Sequence, residues 1–265
     1  MSMTQQDVLY ILQAIRSCGS QILSAHDVEK VGGAITEKSG AANFVTVFDT
    51  RVQQTLISAL QARFPAAAFF AEEKENSASL VQQGLCFIID PIDGTTNFIH
   101  DMKCSAVSVG LYDGGRPVFG AVYDPYKDEM FHACVGGGAF LNDRPIHVSD
   151  RELGKALVSF GTTPYERAAY AESMYRHLRN VFALCADLRR SGSAALDVCY
   201  VACGRTDAYF EDMLSPWDYA AGAVILAEAG GRLTSFTGQT PRAGEKSSVL
   251  CTNNALHEQM LSLMN

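Results

Sequence analysis

The stretch LCFIIDPIDGTTNF, residues 85–98, decides how the rest of the chain is read. Its first half is a continuous apolar run closed by Asp90, the pattern of a strand buried on both faces. Pro91 stiffens the exit, and Asp93 follows three residues after Asp90. Gly94 then permits a backbone angle closed to other residues. Thr95 and Thr96 read as the start of a helix or turn, where free N–H groups can hold an anion. Two carboxylates at one strand end suit hard, oxygen-seeking cations such as Mg²⁺, and the Ile92 carbonyl between them is a further candidate ligand. Cations beside amide donors are what phosphate chemistry requires. Each dipeptide alone also reads as an ordinary turn, Asp-Pro and then Asp-Gly. Their joint placement at the end of a buried strand favours the ligand site.

Outward from this stretch, strands and helices interleave. Upstream, one amphipathic helix starts near Thr4. A second starts near Asp49 and runs through Val52, Leu56 and Leu60 to Phe64, before Pro65. A short strand, 67–71, leads into Glu72-Glu73-Lys74-Glu75. Downstream, SAVSVGLY and RPVFGAVYD flank Asp113-Gly114-Gly115, a hairpin signal, and MFHACVG follows. After ALVSFG the composition is helical from Pro164 to about Cys185, and another helix begins near Ser193. A third runs from Pro216 to Glu228, with proline first and Gly230-Gly231 as its stop. The end alternates strand (231–236, 248–252) with a helix from about Asn254. No linker or repeat divides the chain, so residues 1–265 are read as one layered α/β unit.

Composition bounds the function. The 265 residues are 48% apolar and 19% charged, which excludes disorder and a coiled coil. A net charge of −8 disfavours direct contact with nucleic acid or an anionic membrane. It also repels a phosphorylated substrate unless a local cation reverses the field. The eight cysteines form no C-x-x-C pair, and no secretion signal or transmembrane-length apolar run is found. A cytoplasmic protein with reduced thiols is expected. No G-x-S-x-G elbow or H-E-x-x-H motif offers a competing chemistry.

Two more acidic points belong with the central stretch. Glu72 and Glu73 follow an apolar strand; Lys74, Glu75 and Glu73 read as solvated charges. Asp218, in SPWDYAAGAVILAEAGG, would by itself read as a carboxylate complementing a helix dipole. Together, AEE (71–73), DPIDGTTNF (90–98) and SPWDYAAG followed by EAGG (215–222, 228–231) resemble the inositol monophosphatase family. Lys38, VTVFD ending at Asp49, and SGSAA (191–195) are supporting matches in family order. Two departures stand out: Ala71 replaces the usual glycine before the two glutamates, and Asn43 replaces the first aspartate of the segment that ends at Asp49. Neither removes a ligand.

The resemblance implies a layered α/β/α/β/α sandwich of the kind shared with fructose-1,6-bisphosphatase, usually a homodimer. It implies two to three Mg²⁺ ions, with Mn²⁺ as an alternative, and sensitivity to Li⁺. Glu72, Asp90 and the Ile92 carbonyl would hold one ion. Asp90, Asp93 and Asp218 would hold a second, and Glu72 is associated with a third. Gly94 and Thr95 would present N–H groups to the phosphate, while Thr95 hydrogen-bonded to Asp49 would orient the attacking water. Glu211 matches the position that binds substrate hydroxyls, Gly192, Ser193 and Ala194 match the loop lining the sugar, and Lys38 matches a lysine on a mobile loop. Trp217 is read as a packing anchor for Asp218; His100, close after the central block, reads as structural sooner than as part of the site. The expected activity is direct hydrolysis of myo-inositol monophosphate or a similar small polyol phosphate. Rival readings on the same fold are fructose-1,6-bisphosphatase and 3′-phosphoadenosine-5′-phosphate phosphatase; a non-catalytic regulator is the rival of another class.

Overall fold

The computed structural model describes residues 3–25, 35–37 and 44–265. Lys38 and Asn43 lie outside the described residues. The chain opens with α1 (Gln5–Ser24), β1 (Ile35–Glu37), β2 (Phe44–Thr46) and α2 (Val47–Arg63). Then come β3 (Ala68–Ala71), α3 (Ser79–Gln82), β4 (Leu85–Asp93) and α4 (Thr95–Ile99). A meander follows: β5 (Ala106–Asp113), β6 (Arg116–Asp124), β7 (Glu129–Cys134), β8 (Ala139–Leu141) and β9 (Arg144–Ile146). The last part contains β10 (Leu157–Phe160), α5 (Arg167–Phe182), β11 (Asp187–Arg189), α6 (Ala194–Ala202) and β12 (Ala208–Leu214). It closes with α7 (Pro216–Glu228), β13 (Arg232–Thr234), β14 (Ser247–Thr252) and α8 (His257–Leu263).

Strands β3 to β9 form one seven-stranded sheet in chain order. Only β3 and β4 are parallel, and the rest is an antiparallel meander. A five-stranded sheet has the order β11-β10-β12-β14-β13. The layers follow from which face of each strand is apolar. Val107, Val109 and Leu111 of β5 point to α1 and α2, packing with Ile11, Ile15, Leu56 and Leu60. The other face of that sheet meets α6 and α7. Alternation on β12 then sends Tyr209 inward, into the cluster with Leu196 and Ile225, and Phe210 outward, to Val181 and Met260 beside α5 and α8. The result is an α/β/α/β/α sandwich, as the motif resemblance implied.

Helix α7 is the middle of the sandwich, and its seat is a flat patch of sheet. Gly110 and Gly120 are paired directly across β5 and β6. A Cβ at Gly110 would stand 3.3 Å from the backbone of Ala220, and one at Gly120 would collide with the Ala221 carbonyl. Ser108 Oγ donates to the Trp217 carbonyl at 3.2 Å, and Tyr112 Oη to the Ala220 carbonyl at 3.1 Å. On the far side, Gly222 lets the helix approach Val198 of α6.

Several boundaries differ from the sequence reading. Helix α2 begins at Val47 because Thr46 caps it, so Asp49 is its third residue rather than its start. Strand β4 runs on to Asp93, with a register shift against β5 between Asp90 and Asp93. That irregularity re-aims the two carboxylates. From Pro164 there is first a short 3-10 turn, and α5 ends at Phe182. Helix α8 starts at His257, three residues later than read. Strand β12 was not read from the sequence at all. Its Glu211 and Asp212 interrupt the apolar run by which a central strand is recognised, yet both are buried.

The α7 seat yields a prediction. Gly120→Ala forces a methyl into the Ala221 backbone and should destabilise the protein by roughly 1–3 kcal/mol, the usual range for overpacking. The measurement is urea unfolding at constant m-value; a change within error would show that α7 does not depend on this close approach.

Candidate metal and phosphate site

Three carboxylates reach one point from different elements. Asp90 and Asp93 come from the irregular end of β4, and Asp218 from the first turn of α7. An oxygen of each lies within 4.8 Å of the others. Each is anchored locally. Asp90 Oδ1 accepts the Ile92 N–H at 3.0 Å, and Asp218 Oδ2 accepts the Ser215 N–H at 2.7 Å. Asp93 Oδ2 accepts the Ala195 N–H at 3.0 Å and a short hydrogen bond from Ser193 Oγ, at the start of α6. Glu72 follows β3, its N–H donating to the Ile89 carbonyl at 3.1 Å. It lines the same cavity but stands outside the tight set of three.

Gly94 has φ +88°, the left-handed conformation expected of it, and heads α4. A side chain there would also press on the Cys104 and Gly192 carbonyls at 3.1 Å. The Thr95 hydroxyl has two acceptors for its single proton, Asp49 Oδ1 at 3.3 Å and the Ile92 carbonyl at 3.2 Å. Asp49 is buried; its Oδ2 takes the Thr46 N–H at 2.8 Å and the Thr46 hydroxyl at 2.5 Å. Helix cap and site are thus joined through one carboxylate.

A cavity of 340 Å³ is lined by Glu72, Asp90, Ile92, Asp93, Gly94, Thr95 and Asp218, with Glu211 and Tyr165 farther along. A second, of 100 Å³, shares Asp93, Gly94, Thr95 and Glu211 with it and is also lined by Gly192, Ser193 and Ala194. Glu211 is fixed by Thr163 N–H on Oε1 and Tyr209 Oη on Oε2, both at 2.6 Å. Gly161 has no side chain to occupy its space. His100 is exposed at the end of α4 and lines neither cavity. Trp217 packs against Phe70 with ring centroids 5.8 Å apart, as an anchor for the residue beside it.

Sequence reasoning missed three supports. Asn97 Nδ2 clamps α4 to the 190s loop through the Cys104 and Ser191 carbonyls, at 2.8 and 2.9 Å. Thr163 and the buried Asp197 also border the site. Asn97 lies inside the quoted stretch and was visible there; Thr163 and Asp197 carry no local signal.

The electrostatics are one-sided. Burial, and then the charges of Glu72, Asp93, Asp218 and Asp49, push the Asp90 carboxyl well above its usual range. Burial and then Asp93 and Glu72 do the same to Asp218. Burial raises Asp93 to about 6, although Ser193, Ala195 and Ala194 donate to it. Asp197 is pushed by burial to about 7. Among the described residues, the charged groups that raise Asp90 most are all anions, an arrangement that a cation would relieve. The donors are all oxygen, with the Ile92 carbonyl beside them, and they fit a hard divalent ion.

A layered α/β sandwich with three carboxylates that could hold a metal ion at an irregular strand end defines the class. The family model described as "Inositol monophosphatase family" matches residues 4–265. A Synechocystis sp. relative named inositol-1-monophosphatase is 37% identical over 249 residues, 94% of this chain and 85% of its own length. A Vibrio cholerae relative named Nus factor SuhB is 38% identical over 233 residues, 86% of this chain and 85% of its own. The crystal structure of extragenic suppressor protein SuhB from Bartonella henselae superposes with a TM-score of 0.87 at 32% identity, covering 97% of this chain and 98% of that one. The chain belongs to the inositol monophosphatase family.

The raised carboxyls carry a pH prediction. Their folded-state values lie above the unfolded value of about 4, so their contribution to stability is fully present below that pH. It is lost as pH rises through the folded values, about 6 for Asp93. A divalent ion bound there would remove this loss, whereas at low pH protons already occupy the carboxylates. The rise in Tm on adding Mg²⁺ to EDTA-treated protein should therefore be larger near pH 8 than near pH 5. A rise independent of pH would mean that ions act elsewhere.

Proposed function

We propose that this chain is a Mg²⁺-dependent phosphomonoester hydrolase releasing phosphate from myo-inositol monophosphate or a similar small polyol phosphate. The observation that carries it is the meeting of Asp90, Asp93 and Asp218 within 4.8 Å, beside the left-handed Gly94 and the first turn of α4. Asp90, Asp93, Asp218, Glu72 and the Ile92 carbonyl would hold two to three ions. When bound, such ions neutralise phosphate oxygens and make water more acidic.

The chain's own groups do the rest. Gly94 and Thr95, at the head of α4, offer backbone N–H groups to phosphate oxygens. With the Thr95 proton donated to Asp49, the hydroxyl oxygen is an acceptor for a water that it orients, and Asp49 is the carboxylate that takes the relayed proton as the water is deprotonated. Glu211, held at both oxygens, accepts a hydroxyl of the leaving group, and Gly192, Ser193 and Ala194 line the space beside it. The net charge of −8 supports the absence of direct nucleic-acid binding, and the reading includes a cytoplasmic homodimer inhibited by Li⁺.

A regulatory role is the reading from another class, favoured by the relative named a Nus factor. The convergent acidic cluster favours chemistry, because burying like charges together is costly to a fold that does not use them.

Phosphate release decides. With Mg²⁺, inositol 1-phosphate should turn over faster than fructose 1,6-bisphosphate or 3′-phosphoadenosine 5′-phosphate, and EDTA should stop the reaction. Faster turnover of either bisphosphate moves the substrate; no turnover of any ester overturns the enzyme. Asp93→Asn should lower kcat about a thousandfold, as loss of several kcal/mol of charge stabilisation would. Its Tm in EDTA should be equal or higher, since one buried charge is gone while an amide oxygen still accepts from Ser193 and Ala195. Retained activity would remove Asp93 from the ligand set.

A further inference from the structure

The cavity has one wall that the proposed chemistry does not use. Tyr165 sits in the 3-10 turn Pro164–Glu166, 53% exposed, and lines both the large and the small cavity. A large aromatic side chain is ordinarily covered, so an exposed ring at the mouth of a polar cavity is informative. Among the described residues its hydroxyl makes no hydrogen bond, and its ring has no aromatic partner.

The turn beneath it is held at both ends. Thr163, immediately before, has φ +41°, a conformation costly for a β-branched residue. It is kept there by its N–H to Glu211 Oε1 at 2.6 Å and by its hydroxyl, which accepts the Met213 N–H at 3.3 Å. At the other end Glu166 Oε1 accepts from Lys246 Nζ at 2.9 Å, and both side chains line the large cavity. The backbone under Tyr165 is thus tied to the strand that carries Glu211. Tyr165 shares the large cavity with the Glu72, Asp90, Asp93 and Asp218 carboxylates.

A polar cavity with one fixed aromatic face suits a ligand with two sides. Polar groups bind hydroxyls and phosphate, and the ring covers an apolar face. We propose that Tyr165 is a specificity-determining residue that stacks on the ring of the leaving group, so that the site prefers phosphate esters of cyclic alcohols over acyclic ones. Thr163 and the Glu166–Lys246 pair are positioning groups for that ring. The inference rests on the phosphatase reading above.

The test compares kcat/KM for inositol 1-phosphate with that for glycerol 2-phosphate, in the full chain with Mg²⁺. Tyr165→Ala should lower the cyclic-to-acyclic ratio by about fivefold, in the range of an aromatic contact, mainly through a higher KM for the cyclic ester. Tyr165→Phe should keep the ratio, and Tyr165→Leu should lose it. An unchanged ratio in Tyr165→Ala, or a ratio retained by Tyr165→Leu, overturns the stacking role. If the unmodified chain hydrolyses neither ester, the phosphatase reading fails instead; if it hydrolyses both, the two failures are separate.

Discussion

The close seating of α7 on the Gly110–Gly120 pair is the constraint from which the site follows. Asp218 has no hydrogen bond to Asp90 or Asp93 that would draw it to them. Like charges about 4 Å apart repel by roughly 4 kcal/mol at an effective dielectric of 20. The helix comes anyway because its backbone lies against a patch of sheet without side chains, tied by Ser108 and Tyr112 and closed over by α6. Apolar burial along Tyr219, Val224, Ile225 and Leu226 supplies the driving force, and the carboxylate at the helix start is carried into place. A site that opposes its own assembly must be held by parts that gain from assembling elsewhere.

That arrangement gives the acids two duties. Asp49 belongs to a capping box with Thr46 and also meets Thr95. Asp218 holds the Ser215 N–H at the head of α7 and also faces Asp90 and Asp93. Asp93 bonds the start of α6. A carboxylate has about four acceptor sites, so an anchored oxygen does not exhaust it. Anchoring removes rotamer freedom, which would preorganise these carboxylates as the proposed ligands. The ordinary reading of Asp218 as a helix-terminus carboxylate and its reading as a ligand are therefore compatible.

The same economy shapes the substrate side. Glu211 is held by Thr163 and Tyr209, and Thr163 in turn sets the turn that bears Tyr165. One residue in an unfavourable conformation thereby links Glu211, the proposed hydroxyl-binding group, to a ring that lines the same cavity as the carboxylates. Strain of this kind persists only where the surroundings over-determine it, and here the bonds to Glu211 and Met213 and the Glu166–Lys246 ion pair do so.

Much of this was legible in the chain itself. The buried β4, the hairpin at Asp113-Gly114-Gly115, the limits of α7, the left-handed Gly94 and the carboxylates Asp90 and Asp93 all depend on neighbours within a few residues. Local pattern carries such features because periodicity and turn chemistry are short-range. Strand β12 escaped, because its buried Glu211 and Asp212 break the apolar pattern in service of contacts from other elements. The topology of the two large sheets, the docking of α7, the bond from Ser193 to Asp93 and the place of Tyr165 were decided only in three dimensions. Those contacts join residues far apart in the chain, and their energies come from packing that no window of sequence contains.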